Sequence, residues 1–205
     1  MKWEETAIEG AWVITPQVFA DDRGSFAETF RADEFAREVG HPFHLHQANR
    51  SVSKAGVIRG VHYADVPPSQ AKYVTCMAGV IVDYIVDIRV GSSTFGKSVS
   101  VVLHADQPRF VYLSEGLGHA FVSLEDGSVV SYLVSEPFTP DREHGIHPFD
   151  SALGIEWPRE DLEGNALEWI VSPKDMEAPG LTEAVEKGLL PTYREAKAYR
   201  ESLGR

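Results

Sequence analysis

Residues 80–90 read Val80-Ile81-Val82-Asp83-Tyr84-Ile85-Val86-Asp87-Ile88-Arg89-Val90. Side chains along a strand point alternately to its two faces, so Val82, Tyr84, Val86, Ile88 and Val90 share one face, and Ile81, Asp83, Ile85, Asp87 and Arg89 the other. The first set is aliphatic or aromatic and predicts a buried face. The second mixes aliphatic and charged side chains. That mixture fits either a solvated face or the polar lining of a barrel, and this strand alone does not decide between them.

Strand-like stretches recur on both sides of it, at 47–52, 56–63 and 71–77 before, and at 98–104, 109–113, 120–124 and 128–134 after. Nearer the start, Val13, Val18, Phe26 and Phe30 lie in short segments broken by Pro16, Asp21-Asp22 and Gly24. Residues 31–39, with Asp33 and Glu34 early and Gly40 just beyond, predict a short helix with a glycine C-cap. So many closely spaced strands with Gly or Pro turns indicate a mainly β sandwich or barrel. After Pro158 the pattern loosens, and 162–170 and 172–175 carry no clear signal. Two helices are expected at the end, 182–187 stopped by Gly188 and 193–203 after Pro191, packed outside the barrel. With 205 residues, no internal repeat and no shift in composition, one domain is expected over 1–205, its strand-built core at about 10–150 and a helical tail at about 180–205.

Composition narrows the function classes. Hydrophobic residues make up 43% and charged residues 24% of the chain, the balance of a soluble globular protein. The net charge of −12, from 19 basic and 31 acidic residues, argues against a nucleic-acid or anionic-membrane surface, which would repel it. A phosphate-bearing ligand would need a local basic pocket. No apolar run approaches the roughly 20 residues that span a bilayer, and MKWEETAIEG lacks the apolar core of a signal peptide. Cys76 is the only cysteine and excludes an intrachain disulfide, so a cytoplasmic location is expected. It is expected to be a small buried hydrophobe in a strand.

The chemistry concentrates in 56–72, GVIRGVHYADVPPSQAK. Arg59 and Lys72 are cations suited to a phosphate or an oxyanion, and His62 is the residue type that takes up a proton near neutral pH. Pro67-Pro68 cannot continue a central strand, so the chain must turn before it resumes near Tyr73. In a regular strand Arg59 and His62 point to opposite faces; both serve one pocket only if the backbone bulges near Gly60. Gly116-Leu117-Gly118-His119-Ala120-Phe121 places a second imidazole where a loop re-enters a sheet. Tyr132 sits in mid-strand on the face of Val130 and Val134 and can act as a proton donor only if its hydroxyl reaches a ligand.

Taken in order, Asp22-Arg23-Gly24-Ser25-Phe26, Gln47-Ala48-Asn49, Arg59-Gly60-Val61-His62-Tyr63, Gln70-Ala71-Lys72, the 82–89 strand, Gly91-Ser92-Ser93-Thr94-Phe95-Gly96, 114–121, Tyr132, Glu143-His144, 153–158 and Ser172-Pro173-Lys174-Asp175 resemble the dTDP-4-dehydrorhamnose 3,5-epimerase family over nearly the whole chain. The resemblance implies a cupin-type jelly-roll barrel with short peripheral helices. It also implies a cofactor-independent epimerase that inverts C3 and/or C5 of a dTDP-4-keto-6-deoxyhexose through an enolate. By that resemblance His62 is the base, Tyr132 the acid, Lys72 the holder of the enolate oxygen and Asp175 the carboxylate that orients His62, with Asp83 as the second choice. Arg23, Arg59 and Lys174 would face the diphosphate. Glu28, Gln47, Asn49, His119 and Glu143 would contact sugar, nucleotide or phosphate, and Phe19 and Phe26 would offer aromatic surface to the base. The family forms homodimers by exchanging N-terminal strands, which implies the same here. No nicotinamide, flavin or metal is implied, and the sequence has no GxGxxG motif after a strand and no P-loop.

One departure bears on stereochemistry. Many members of the family have a tyrosine where this chain has Phe138, which can stack but cannot donate a hydroxyl. A C3-only or C5-only epimerase of an antibiotic-sugar pathway is therefore a competing expectation. A non-catalytic sugar-nucleotide-binding cupin is another. A third is a metal-dependent cupin using His44, His46 and His119, although the position expected to carry an HxH pair reads Gly60-Val61-His62-Tyr63, with a single histidine.

Overall fold

The computed structural model describes residues 1–204, built as two facing β-sheets backed by an irregular C-terminal cover. One sheet runs β1 (Lys2–Glu5), β2 (Ala11–Thr15), β10 (Phe110–Leu113), β7 (Lys72–Ala78), β12 (Ser128–Val134), β5 (Gln47–Ser53). The other runs β13 (Glu143–Gly145), β6 (Val57–Ala64), β11 (Gly118–Ser123), β8 (Val80–Val86), β9 (Ser98–His104), with β14 (Ile170–Val171) lying parallel beside β6. Among the described residues the other pairings between these strands are antiparallel, and strands distant in sequence are neighbours, as in a jelly roll.

Both faces of β8 are covered, which settles the mixed pattern of residues 80–90. Ile81 and Ile85 turn inward and pack with Val74, Val111 and Val130 of the opposite sheet, and the fully buried Asp83 lies between them in the alternation. That face lines the barrel. The outward face, Val80, Tyr84, Val86 and Ile88, lies beneath Trp157, Leu181, Ala184 and Leu190. Each fully buried large aliphatic side chain stabilises by about 1.5–3 kcal/mol, so the tail is part of the core.

The strand stops at Val86, four residues earlier than the alternation predicts. Asp87 accepts hydrogen bonds from the Arg89 guanidinium at 2.8 Å through each of its carboxylate oxygens, and from the Ser92 and Thr94 hydroxyls at 2.6 Å. These bonds fold the chain into a buried turn. Arg89, only 1% exposed, also lies over the Tyr193 ring at 5.4 Å, tying the turn to the final helix.

Helix α1 (Ala32–Val39) ends at Gly40 in the left-handed region, as its sequence predicts. Its Phe35 packs edge-on against Trp3, Phe43 and Tyr112 at the end of the first sheet. A single turn, α2 (Pro173–Met176), is followed by α3 (Leu181–Glu186) and α4 (Tyr193–Leu203), the last opened by a capping box between Thr192 and Glu195. The hairpin of β3 (Val18–Asp21) and β4 (Gly24–Ala27) belongs to neither sheet, and its Phe19 and Phe26 are 52% and 66% exposed. Cys76 is buried in β7, as expected.

Candidate active site

Strand β6 bulges where the sequence requires it. His119 of β11 pairs with His62 and Phe121 with Arg59, so two steps along β11 match three along β6. The extra residue brings Arg59 and His62 to the same side of the sheet. Gly60 makes this possible: its φ is +118°, and a Cβ there would lie 2.5 Å from the His119 carbonyl oxygen and 2.7 Å from the Ala120 Cα. Pro67 and Pro68 then turn the chain into β7, which carries Lys72 in the opposite sheet.

Between the sheets lies a cavity of about 420 Å³, within the size range of small-molecule sites. The second sheet and its margin supply Arg59, His62, His119, Phe121 and Glu143. The first supplies Gln47, Asn49, Ser51, Lys72 and Tyr132, and Gln70 and Phe138 come from the adjoining loops. Thus an imidazole and a phenol seventy positions apart in the chain reach one cavity from facing sheets.

The His62 ring is held at Nε2 by Asp175 Oδ1, 2.7 Å away on α2. A carboxylate only accepts, so Nε2 carries the proton and the Nδ1 lone pair is left to act as base. Burial favours the neutral form of Asp175, but hydrogen bonds from His62, Ser172 and the Gly60 backbone outweigh it and hold this carboxyl below its ordinary value. Asp83, the second choice for that role, instead meets His119 Nε2 at 2.7 Å, because both lie on the interior face of adjacent strands. Two imidazoles that line the cavity are thus each held by a buried carboxylate behind them. His119 sits in β11, one residue inside a strand that begins at Gly118, and not in the preceding loop.

Arg59 and Lys72 have no carboxylate within ion-pair distance among the described residues. Two cations left free beside a cavity, in a chain of net charge −12, point to an anionic ligand. Burial pushes the Lys72 ammonium down to about 8, with Glu143 opposing the shift. The Tyr132 hydroxyl is pushed up, by burial first and then by Glu143, while Arg59 pulls the other way. It stays protonated at neutral pH, and it makes no hydrogen bond among the described residues.

Not every expected residue is in the cavity. Phe19, Arg23 and Phe26 line a separate shallow recess on their own hairpin, where Arg23 pairs with Asp21. Glu28 is exposed beyond the hairpin and Lys174 is exposed on α2, neither lining the cavity. His44 and His46 line a small cavity with His41, away from His119, so the three are not brought together as metal ligands. Three lining residues escaped the sequence reading as site residues: Ser51, Gln70 and Phe121. Ser51 and Phe121 were legible only as alternate positions on strands that carry Asn49 and His119.

A carboxylate-held imidazole facing a free phenol inside a jelly roll defines an acid–base enzyme of the cupin-type class. The family model for dTDP-4-dehydrorhamnose 3,5-epimerase matches residues 5–183, and the chain belongs to that family. It is 50% identical to a Mycolicibacterium smegmatis dTDP-4-dehydrorhamnose 3,5-epimerase, over 100% of this chain and 98% of the relative. Among solved structures it resembles the Mycobacterium tuberculosis rmlC epimerase, at a TM-score of 0.93 and 43% identity over 99% of this chain and 100% of that one. It also resembles ChmJ, a 3'-monoepimerase from Streptomyces bikiniensis in complex with dTDP-quinovose, at a TM-score of 0.91 and 41% identity over 97% and 98%.

Proposed function

We propose that this protein epimerises a dTDP-4-keto-6-deoxyhexose at C3, at C5 or at both, acting as one catalytic unit over residues 1–205. The observation that carries the reading is the presence of His62 and Tyr132 in one cavity, on strands of facing sheets. A keto group at C4 acidifies the protons on its neighbouring carbons. His62, oriented by Asp175, removes one of them; the electron pair moves onto the C4 oxygen, where Lys72 stabilises the enolate; Tyr132 returns a proton from the other face, and the centre inverts. In this reading Arg59 meets the diphosphate, and Gln47, Asn49, His119 and Glu143 meet sugar, nucleotide or phosphate, which their lining of the cavity supports.

Phe138 favours a second reading, inversion at a single centre. It lines the cavity without a hydroxyl, and its backbone N–H is fixed by Gln47 Oε1 at 3.0 Å. Both outcomes occur among the relatives, which include 3,5-epimerases and a 3'-monoepimerase. Since Phe19, Arg23 and Phe26 lie outside their own chain's cavity, we also propose that a homodimer forms by strand exchange and that each hairpin serves the partner's cavity. A cytoplasmic setting belongs to the same reading, and among the described residues no helix is long and apolar enough to cross a membrane.

Incubation with dTDP-4-keto-6-deoxyglucose in heavy water tests the mechanism. Deuterium is expected at C3, and at C5 if both centres react. His62→Ala should abolish exchange at every centre. Tyr132→Phe should lower product formation by roughly 10²–10⁴-fold; full turnover in that variant would remove Tyr132 as the acid.

A further inference from the structure

We infer that Gln70 is a positioning residue for the Lys72 ammonium, locked in its working orientation by Glu143 and the Glu136 carbonyl. The inference rests on the reading of Lys72 as the enolate-stabilising cation, and it concerns a residue to which neither the sequence nor the family resemblance assigned a role.

The orientation of the Gln70 amide follows from its neighbours. Nε2 lies 2.9 Å from the Glu136 carbonyl oxygen and 3.3 Å from Glu143 Oε1. Both are acceptors, so only the NH₂ end of the amide can face them. That leaves Oε1 pointing to Lys72 Nζ, which only donates, and the two are hydrogen-bonded. A flipped amide would set oxygen against two acceptors and NH₂ against an ammonium, so the arrangement has one satisfied state. Gln70 and Lys72 are both largely buried, and the low polarity around them strengthens the bond. Lys72 retains two further N–H groups for a ligand oxygen. The chain of contacts runs from the Glu143 carboxylate through a neutral amide to the ammonium. Negative charge thus acts on Lys72 without an ion pair that would occupy it.

Arg59, His62, His119, Tyr132 and Glu143 line the same cavity and set the field in which Lys72 titrates. Burial has already brought that ammonium down to about 8, so a change in its hydrogen-bond acceptor moves it across the pH range in which the enzyme can be assayed. Loss of a hydrogen bond to the charged form disfavours that form. Gln70→Leu should therefore shift the alkaline limb of the kcat profile to lower pH and reduce kcat roughly tenfold or more. Gln70→Glu keeps an acceptor beside Lys72 and adds charge, so its limb should move to higher pH even though its contact with Glu143 is lost.

The test measures both pH–rate profiles together with a ¹⁵N NMR titration of the Lys72 ammonium in the ligand-free variants, assigned by its loss in Lys72→Arg. Opposite shifts in the two variants support the inference. An unmoved Lys72 titration in both would overturn it, as would shifts of the same sign, whatever the loss of rate. Lys72 titrations that move as expected while the unsubstituted protein exchanges no substrate proton would retain the positioning role and remove the epimerase reading.

Discussion

Asp175 is the residue on which the proposed base depends, and it lies 113 positions from His62 in the chain. Asp175→Asn should keep the packing; with its carbonyl oxygen turned to the Gly60 backbone N–H it presents the amide NH₂ to Nε2, favouring the other tautomer and moving the ring's lone pair away from the ligand. The rate of solvent-deuterium exchange is expected to fall a hundredfold or more, with the circular dichroism spectrum unchanged. Exchange at the normal rate in this variant would show that the carboxylate does not orient the base. His62, Lys72 and Tyr132 were legible as candidates because each is a chemically distinctive group in or beside a strand, and their roles came only through the family resemblance. The choice between Asp175 and Asp83 was not. Alternation places Asp83 on the interior face as surely as it does the histidines, and only the pairing of β8 with β11 shows that it meets His119. Gln70 was visible only as part of the Gln70-Ala71-Lys72 piece of the resemblance and had no assigned role, because an amide becomes informative only once its acceptors are known.

Among the elements, β6 bears the strictest local demand. Gly60→Ala combines a positive φ with a Cβ pressed against backbone of β11, so neither a rotamer change nor a small shift relieves it. A loss of about 2–4 kcal/mol in urea unfolding is expected, with weaker ligand binding as His62 and Arg59 lose their common side. A variant as stable as the parent would show that the bulge can be rebuilt. The turn after β8 makes a separate prediction. Asp87→Ala strips the partner from a buried guanidinium and should destabilise by about 3–5 kcal/mol, with little change in the activity that remains. Strand positions were legible because alternation, Gly and Pro mark them, and most observed boundaries fall within two residues of those expected. The end of β8 was not, because Asp87 and Arg89 fit the alternation and their mutual pairing is a property of the turn. Residues 162–170 and 172–175 gave no clear signal because they belong to an irregular cover, held by single contacts such as Trp169 Nε1 donating to the Pro158 carbonyl at 2.9 Å.

At the scale of the whole molecule, Glu115 couples stability to pH. It is buried beyond β10, and burial first, with Glu136 adding, pushes its carboxyl up to about 7 against the pull of its own backbone N–H and Arg200. The unfolded chain releases this proton near 4.5 and the folded chain near 7. Between those values the unfolded state binds fewer protons, and stability falls as pH rises, by roughly 3 kcal/mol at most. Glu115→Gln should flatten that part of the curve. Denaturation midpoints at pH 5 and pH 8 provide the check, and an equal decline in parent and variant would assign the effect to another group. A sandwich or barrel with outer helices was legible from the strand spacing, and its jelly-roll form only through the family resemblance, whereas the separation of the β3–β4 hairpin from both sheets was not, since its short segments read like any other strands. The position of Asp175 in the cover, beyond the last long strand, also bears on the order in which a growing polypeptide matures. Ribosomes deliver every strand of the first sheet before they add the carboxylate and the side chains that seal Val80, Val86 and Ile88. A nascent chain halted near residue 160 would therefore be both catalytically silent and sticky, so that chaperone capture and the onset of activity should be separated by the synthesis of residues 161–190.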